Sequence, residues 1–582
     1  MPTAPRNPTA LLDLEAIAGE RIRVSKRDAK CYFDQLALPA TVRSWFGRPP
    51  VTVAALADYT DLTQDELRRY LPAGVGPSRD FTLWPTCTTW PMGFAWSSFI
   101  AQSKLLKCCE SAGLGTSRML ADDLPTPSDM SCTFALATDD VMLFTSGEAA
   151  NAHPWLARLD AEIDKAGIQA HASKAVTAVH DETVIGVDLC QGQYLSPHAS
   201  KLALVMSGCS HFLKTRSASR IEVGALMGHL GWFALLARAT FGCFHSIYAH
   251  SCSPTGAERD LHFGERMRDG VTDSVMDASV RRDVPKRAAA EIFTFIALTP
   301  LLEVDLTRDW QDHLVACDAS DTVGFGASVA PCSRELTRQV GRAGKKRDVH
   351  VRTTRDGLSP DEEPERPRRG EELRIPLSKA AFSTVVSARR RFHGHSGALE
   401  AHGVTLALRW VTRSARRHSR RTTLLIDART VLGALAKGRS SAETLRREIR
   451  RAGAYILAAD LLVKPVYIPS EENPADAPSR GIVRRFRARR TPAPRSAPAL
   501  KSLIPFEKKR HLKPKKKPFD VLAHYQSKMD ALLHEGPVAE RFFWRRFMRT
   551  IDSDYSSCTS LTERDGSDAA GSVESSGVQN GS

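Results

Sequence analysis

The chain has 582 residues, and its 81 Lys and Arg residues outnumber its 66 Asp and Glu residues, which gives a formal net charge of +15. This length predicts about three or four folded units, and the positive charge favours a polyanionic partner. Since the sequence has no apolar run of about 18 residues, we expect no membrane segment. Its 12 cysteines form no C-x-x-C pair, so we expect reduced thiols in an intracellular protein, cytoplasmic or nuclear.

The first predicted elements are a strand and a helix. Residues 21–28 alternate as a strand does, and Asp28 at the end of this strand precedes the aromatic residues Tyr32 and Phe33. Farther along the chain, Pro91 and Gly93 predict a turn that leads into an amphipathic helix.

Two adjacent carboxylates, Asp139 and Asp140, lie between apolar residues in the stretch 134–144. Adjacent carboxylates repel each other, and burial of an unpaired carboxylate is costly, so the pair favours a tight turn between strands where a divalent cation neutralises it. A solvated turn without a cation is the common alternative.

Next come a helix end at Gly167, then Lys174, and a predicted strand over 184–189.

A helical pattern and a second acidic region follow. We expect helices from 196 to 252 and a linker or connection from 253 to 309, because residues 253–285 are charged and weakly periodic. A predicted strand then ends at Asp318, and a return strand covers 324–329. Residues 334–374 are rich in Arg, Asp, Glu and Pro, which predicts an exposed loop within an insertion at 334–390.

Three further acids lie on or after predicted elements. Glu400 is expected on the inner face of a helix, Asp427 follows the strand 422–426, and Asp476 lies within 467–480. Each acid alone is more often a surface residue. Taken together with Asp318, three of the four acids follow or lie on apolar elements.

The last hundred residues differ in composition. Lys and Arg separated by Pro and Ala predict a basic linker at 483–520, which either binds phosphates, serves as a nuclear import signal or is simply solvated. An amphipathic helix is predicted at 521–550 and a disordered tail at 551–582.

The order of the N-terminal blocks resembles the palm of a retroelement reverse transcriptase of the DIRS-type or LTR-like kind. Asp28 with Phe33 and Gln35 is similar to its first aspartate block, and the stretch 90–93 to its Leu-Pro-Gln-Gly turn. The stretch 137–140 resembles its Tyr-x-Asp-Asp hairpin. Gly167 with Lys174 resembles its Gly and Lys block, and Ile185 with Gly186 resembles its Leu-Gly strand.

This resemblance implies RNA-directed DNA synthesis from dNTPs on an RNA template and a DNA primer. It implies that Asp28, Asp139 and Asp140 hold two Mg2+ ions, or Mn2+ in their place. The substrate-binding residues that it implies are Phe33 beneath the incoming sugar, Lys174 at the triphosphate, and Gln35, Pro91, Met92 and Gly93. Because 27 residues precede Asp28, we expect truncated fingers and a partner chain as a source of the missing parts.

The C-terminal blocks closely resemble the ribonuclease H domain of retroelement polyproteins. The ending Asn-x-x-Asp-x-x-Ser-Arg at 473–480 resembles the version in DIRS-type elements. The resemblance implies that Asp318, Glu400, Asp427 and Asp476 hold two Mg2+ ions that hydrolyse RNA in an RNA–DNA hybrid.

We therefore expect a multidomain α+β and α/β protein. Its expected parts are a palm at 1–195, thumb or connection helices at 196–252, the linker at 253–309, and a ribonuclease H-like mixed sheet at 310–482 before the basic tail. Reverse transcriptase with ribonuclease H activity is the leading function. Two alternatives stay open: a catalytically impaired or domesticated nucleic-acid-binding remnant, and a ribonuclease H nuclease with a structural palm.

Overall fold

A computed structural model describes most of the first 483 residues. The described residues are 7–16, 20–60, 62, 63, 66, 69, 71, 80–94, 96–122, 124, 126–252, 280–344, 350–354, 372–391 and 393–483. All of them belong to one compact unit, residues 1–486. The predicted helix at 521–550, the tail at 551–582 and all but the first residue of the basic linker at 483–520 lie outside the described residues.

The described part is a mixed α/β structure with several sheets. Its strands are β1 (Ile22–Asp28), β2 (Val51–Thr52), β3 (Thr82–Leu83), β4 (Cys132–Ala137), β5 (Asp140–Ser146), β6 (Val176–Val179), β7 (Glu182–Val184), β8 (Val187–Cys190), β9 (Tyr194–Pro197), β10 (Ser217–Ala218), β11 (Arg282–Asp283), β12 (Val304–Asp305), β13 (His313–Ala319), β14 (Gly324–Pro331), β15 (His350–Thr353), β16 (Glu372–Ile375), β17 (Ser383–Arg389), β18 (Arg421–Ile426) and β19 (Leu462–Tyr467).

Helices separate these strands. They are α1 (Pro8–Leu11), α2 (Val53–Tyr59), α3 (Ser97–Ser111), α4 (His153–Lys165), α5 (Ala199–Thr215), α6 (Arg220–Ala234), α7 (Ser246–Cys252), α8 (Lys286–Leu298), α9 (Arg334–Arg342), α10 (Ser396–Val411), α11 (Arg429–Lys437), α12 (Glu443–Ala458) and α13 (Asp476–Ser479). Across the described ranges, each helix is too short or too polar to span a lipid bilayer.

The N-terminal sheet has the strand order β4-β5-β1-β6, and its neighbours are antiparallel. Successive residues of β4 point to opposite faces, and both faces are covered. Phe134 and Leu136 pack into the core that contains Leu105 of α3 and Leu159 of α4, whereas Ala135 packs into a second core on the other face. Burial on both faces explains the uninterrupted apolar run before the adjacent aspartates.

The strand predicted over 184–189 is instead a hairpin of two short strands. Val184 pairs with Val187, and the two residues between them both have positive φ, +50° at Ile185 and +73° at Gly186. Two positive φ values are typical of the type I′ turn, whose twist matches that of the flanking strands. The expected Leu-Gly strand block is therefore a turn in this chain.

Helices α5, α6, α7 and α8 pack together around a third core, as the helical pattern from residue 196 predicted. The segment 280–309, which we expected in a linker, contributes to this packing. Ile292 and Phe295 of α8 are fully buried there, and β12 pairs with β9. The charged stretch that suggested a linker ends before these apolar residues, and residues 253–279 lie outside the described part.

The C-terminal sheet has the strand order β17-β14-β13-β18-β19. The pairs β17–β14 and β14–β13 are antiparallel, whereas the pairs β13–β18 and β18–β19 are parallel. One face packs against α10, α11 and α12, and the other is covered by apolar residues that include Val340, Val351 and Phe382. This sheet therefore has a buried core on each side.

The insertion expected at 334–390 is not simply an exposed loop. Arg334–Arg342 form α9, whose start is capped by the Ser333 hydroxyl and whose Val340 is fully buried. Residues 383–389 form β17, an edge strand of the sheet. The abundance of charge concealed these elements because only one face of α9 and one edge of β17 are covered by the protein.

Arg421, the first residue of β18, is fully buried and connects distant segments of the chain. Its guanidinium donates hydrogen bonds to four backbone carbonyl oxygens, those of Leu12 (3.0 Å), Leu14 (2.7 Å), Leu306 (3.3 Å) and Arg308 (3.1 Å). The N-terminal segment 7–16 is thereby attached to the C-terminal sheet.

Ion pairs reinforce this attachment. Glu15 accepts hydrogen bonds from Arg338 at 2.7 Å and from Arg342 at 3.2 Å, both on α9. Asp13 forms an ion pair with the almost fully buried Lys464 of β19. The two acids of the segment therefore neutralise cations that the C-terminal sheet and its helix present.

We expect Arg421→Met to lower the free energy of unfolding by about 3–5 kcal/mol, because it leaves four buried carbonyl groups without their donor. Urea unfolding followed by circular dichroism measures this loss. Arg409→Gln, at an exposed arginine of α10, is the matched control and should change stability by less than about 0.5 kcal/mol. Equal stability of the two variants would contradict the role assigned to Arg421.

Candidate functional site

Three carboxylates converge at one edge of the C-terminal sheet. Asp318 lies near the end of β13, and Asp427 directly follows β18. Because Cys317 pairs with Ile426 in this parallel pair of strands, the next residue of each strand is an aspartate at the same edge. With Glu400 of α10, each residue offers a carboxylate oxygen, and these oxygens all lie within 4.8 Å of one another.

Close packing places Glu400 beside the strand. A Cβ atom at Gly403 would lie 2.9 Å from the carbonyl oxygen of Asp318, so only glycine allows α10 to approach β13 this closely. The backbone N–H of Ala319 donates to Oε2 of Glu400 at 3.1 Å. The glutamate is therefore held in place by the same strand that carries Asp318.

The fourth predicted acid, Asp476, begins α13 near this cluster but is not one of the three converging residues. The side-chain amide of Asn473 donates to the carbonyl oxygen of Cys317 at 3.0 Å and so attaches the preceding loop to β13. Asp476 accepts a hydrogen bond from Arg480 at 2.9 Å. Its negative charge still raises the pKa of Asp318, which places it within electrostatic reach.

Burial and mutual repulsion favour the protonated form of two of these acids. Burial, with further contributions from Asp427 and Asp476, raises the pKa of Asp318 to about 7, although the nearby Ser479 hydroxyl opposes the shift. Burial, followed by the charges of Asp318 and Asp427, raises the pKa of Glu400 to about 8. Such raised pKa values identify a site where a cation would relieve repulsion.

The N-terminal acids lie at the β4–β5 hairpin and the end of β1. Asp28 pairs with Asp140 across β1 and β5, and the backbone N–H of Ala29 donates to the carbonyl oxygen of Asp139 at 3.0 Å. The turn between β4 and β5 contains Thr138 with φ +51°. The tight hairpin predicted around the adjacent aspartates is therefore present.

Electrostatics at this second cluster are similar in sign. Burial is the largest cause that raises the pKa of Asp140 to about 6, with Asp28 and Asp139 adding to it and Lys26 opposing it. Burial and the charge of Asp28 also raise the pKa of Asp139. Oδ1 of Asp140 is buried without a hydrogen-bond partner in the described part of the chain.

The two clusters differ in how tightly their acids converge. Within the described ranges, the group Asp318, Glu400 and Asp427 is the one whose three ligand atoms meet within 4.8 Å, and Asp28, Asp139 and Asp140 do not form such a group. Instead, Nζ of Lys174 lies 3.1 Å from Oδ2 of Asp28. A cation at this carboxylate would therefore compete with an ammonium group.

A cleft of about 790 Å3 opens beside the N-terminal cluster. Most of the substrate-binding residues predicted from the sequence line it, together with two of the acids: Asp28, Asp139, Phe33, Pro91, Met92 and Lys174. Met92 is 80% exposed, and the adjacent Gly93 has a φ of +98° in the predicted turn. Phe33 is partly buried against the core that contains α3.

Gln35 has a structural partner that its sequence pattern did not reveal. Its side chain accepts a hydrogen bond from the backbone N–H of Gln169 at 2.7 Å and donates to the backbone carbonyl oxygens of Lys30 and Gln169. The side chain thus fastens the segment after α4 to the segment after β1. It contributes to the cleft by holding its wall in position.

Both clusters offer the kind of donor that a hard divalent cation prefers, but within the described residues the donors converge at the C-terminal cluster and not at the N-terminal one. All of their donors are carboxylate oxygens, which Mg2+ and Ca2+ prefer, and the C-terminal group supplies several of them within reach of one ion. The pKa values of Asp318 and Glu400 are raised first by burial and then by the neighbouring carboxylates, and a bound cation would oppose both effects.

No protein-family model and no curated protein matches this chain. Among solved structures, it is similar to the foamy viral protease-reverse transcriptase dRH in complex with double-stranded DNA, at 11% identity and a TM-score of 0.31. The similarity covers 80% of this chain, which spans about 60% of the length of that solved chain. A likeness at this TM-score identifies neither the fold nor the activity of this chain.

Without a divalent cation, we expect the melting temperature to fall as the pH rises from about 5 to about 9. Asp318 and Glu400 bind their protons more tightly in the folded chain than in the unfolded chain, where carboxyl pKa values are near 4. Their stabilisation is complete below that value and is lost as the pH rises through about 7 and about 8. Differential scanning fluorimetry across this range measures the change.

Two variants and one cation test the cause. Glu400→Gln should weaken the pH dependence, whereas Glu110→Gln, at an exposed glutamate of α3, should leave it unchanged. Mg2+ should raise the melting temperature more at the alkaline end, where the acids are ionised. The same pH dependence in wild type and Glu400→Gln would contradict this account.

Proposed function

We propose that the chain is a metal-dependent nucleic-acid enzyme that combines RNA-directed DNA synthesis with hydrolysis of RNA in an RNA–DNA hybrid. The observation that carries the hydrolytic part of this proposal is the convergence of Asp318, Glu400 and Asp427 from two strands and a helix. The positive net charge of +15 supports a nucleic-acid substrate, because phosphate neutralisation dominates affinity for nucleic acids.

The nuclease is assigned to residues 310–482. A five-stranded sheet in which three antiparallel strands are followed by two parallel ones, with a helix that carries Glu400 before the fourth strand, supports a ribonuclease H-like arrangement. Fold similarity alone does not establish an activity, so the assignment depends on the acids at the sheet edge.

Asp318, Glu400, Asp427 and Asp476 would hold two Mg2+ ions at this site. When bound, the ions supply an activated water and stabilise the leaving oxygen of an in-line displacement. The protein's own groups prepare the site: the N–H of Ala319 orients Glu400, and the Ser479 hydroxyl donates to the backbone carbonyl oxygen of Asp476 at 2.8 Å. The hydrogen bond from Asn473 holds the loop that leads to Asp476.

Polymerisation is assigned to residues 1–195, with helices 196–252 as a thumb that holds the primer and template. Asp28, Asp139 and Asp140 would hold the Mg2+ ions there, and the adjacent cleft would accept the dNTP. Phe33 and Lys174 both line that cleft. Phe33 would lie beneath the sugar of the dNTP, and Lys174 would face its triphosphate. Release of Lys174 from Asp28 would then accompany nucleotide binding.

A second candidate function is a ribonuclease H nuclease whose N-terminal part is structural. Two observations favour it: the N-terminal acids do not converge as the C-terminal acids do, and Lys174 occupies one carboxylate oxygen of Asp28. The same fold and the same nuclease site would remain, but the chain would not extend a primer.

The nuclease assignment predicts Mg2+-dependent release of short RNA from a labelled RNA–DNA hybrid. Asp427→Asn should reduce the rate by about 100-fold or more, because it removes a charged ligand without changing the side-chain volume. Asp164→Asn, at an exposed aspartate of α4, should leave the rate unchanged. Equal rates for the two variants would exclude the C-terminal cluster as the site of hydrolysis.

The polymerase assignment predicts extension of a DNA primer on an RNA template with Mg2+. Asp139→Asn should abolish extension but leave hybrid hydrolysis unchanged, since the two clusters lie on different sheets. Gel electrophoresis of a labelled primer reports the products. Hydrolysis without any extension by the wild-type protein would reject the polymerase assignment and leave the structural N-terminal part as the better description.

A further inference from the structure

An arginine without an acidic partner lies beside the C-terminal cluster. Arg429 is the first residue of α11, two positions after Asp427, and its side chain is exposed. Its guanidinium carbon lies 4.6 Å from the centroid of the Tyr467 ring. Since Ile426 pairs with Tyr467 across β18 and β19, the arginine and the ring lie at the sheet edge where the acids converge.

The guanidinium is held by the ring and not by the carboxylates. Arg429 forms no ion pair or side-chain hydrogen bond with any residue in the described part of the chain, although four predicted acids surround this edge. Arg480, by contrast, donates to Asp476 at 2.9 Å. The five N–H donors of Arg429 therefore remain available to an anion that enters the site.

Stacking on an aromatic ring prepares such a group for binding. A cation over a tyrosine face is attracted by the ring, and the contact restricts a side chain that otherwise has many rotamers. Arginine's planar group then presents two parallel donors that match the oxygens of a phosphate. Less conformational entropy is lost when a phosphate binds to an arginine that is already oriented.

We propose that Arg429, supported by the ring of Tyr467, binds a backbone phosphate of the nucleic-acid strand that enters the C-terminal cluster. This inference rests on the proposed nuclease function of that cluster. A phosphodiester strand approaching several carboxylates is repelled, and a nearby guanidinium offsets the repulsion while fixing the strand against the acids. Arg429 is thus a substrate-binding residue, and Tyr467 is its positioning residue.

The test is a double-mutant cycle on equilibrium binding of a labelled RNA–DNA hybrid in EDTA, where no strand is cut. Arg429→Gln should weaken binding by about 10-fold and lower the slope of log Kd against log salt concentration by about 0.9. Tyr467→Leu should weaken binding less, and should have no further effect when combined with Arg429→Gln. Arg429→Lys should keep the salt slope but lose part of the affinity, because the charge stays and the planar group is lost.

Arg409→Gln is the matched control, since Arg409 is also exposed and lies near the opposite end of α10 from Glu400. It should change affinity by less than about 2-fold. Equal losses of affinity in Arg409→Gln and Arg429→Gln would overturn the proposal. It would also be overturned if Tyr467→Leu weakened binding as much in the Arg429→Gln background as in the wild-type background.

Hydrolysis separates this inference from the function on which it rests. In Mg2+, Arg429→Gln should raise KM while kcat stays within about 2-fold, because the contact forms in the ground state and in the transition state alike. An inactive wild-type protein would reject the nuclease function itself. An active wild-type protein with an unchanged KM in Arg429→Gln would reject only the phosphate contact.

Discussion

The buried guanidinium of Arg421 is the contact on which the arrangement of the described chain depends. Four backbone carbonyl oxygens surround it, two from the N-terminal segment 7–16 and two from residues 306 and 308. A buried charge without these partners would cost several kcal/mol. The start of β18 is therefore fixed to a segment more than four hundred positions earlier, while the other end of the same strand leads directly to Asp427.

A second constraint acts in the opposite direction, because both acidic clusters bring like charges together. Burial and neighbouring carboxylates raise the pKa values of Asp318, Glu400 and Asp140, so these clusters reduce the stability of the ionised fold. Structural needs do not explain such an arrangement, since apolar residues would pack at lower cost. Local destabilisation of this kind is characteristic of sites that bind cations.

Several features could be predicted from the sequence because they are local. The apolar run before the adjacent aspartates predicted the hairpin. The strand patterns also predicted that Asp28, Asp318 and Asp427 lie at or near the ends of strands. Alternation and chemistry within a few residues are sufficient for such predictions. Of the four acids expected in one cluster, Asp318, Glu400 and Asp427 converge, and Asp476 is not one of the converging residues.

Other features depend on contacts between distant residues and left no local signal. The ion pair of Lys174 with Asp28 joins residues 146 positions apart, and the contacts of Gln35 join it to Gln169 across 134 positions. The side-chain amide of Asn473 donates to the carbonyl oxygen of Cys317, 156 positions earlier. The helix α9 was concealed because charged residues dominate its exposed side, although Val340 is buried on the other.

Two glycines without a functional group allow the helices that carry Glu400 and Asp476 to approach the C-terminal sheet. A side chain at Gly326 would begin 2.4 Å from the carbonyl oxygen of Ala475, and one at Gly403 would begin 2.9 Å from that of Asp318. A side chain at position 326 would push α13 away from the sheet, and one at position 403 would push α10 away. Every acid of the site would still be present in the sequence. The four acids alone therefore do not determine the geometry of the site, because two residues without side chains set the distance between the helices and the sheet.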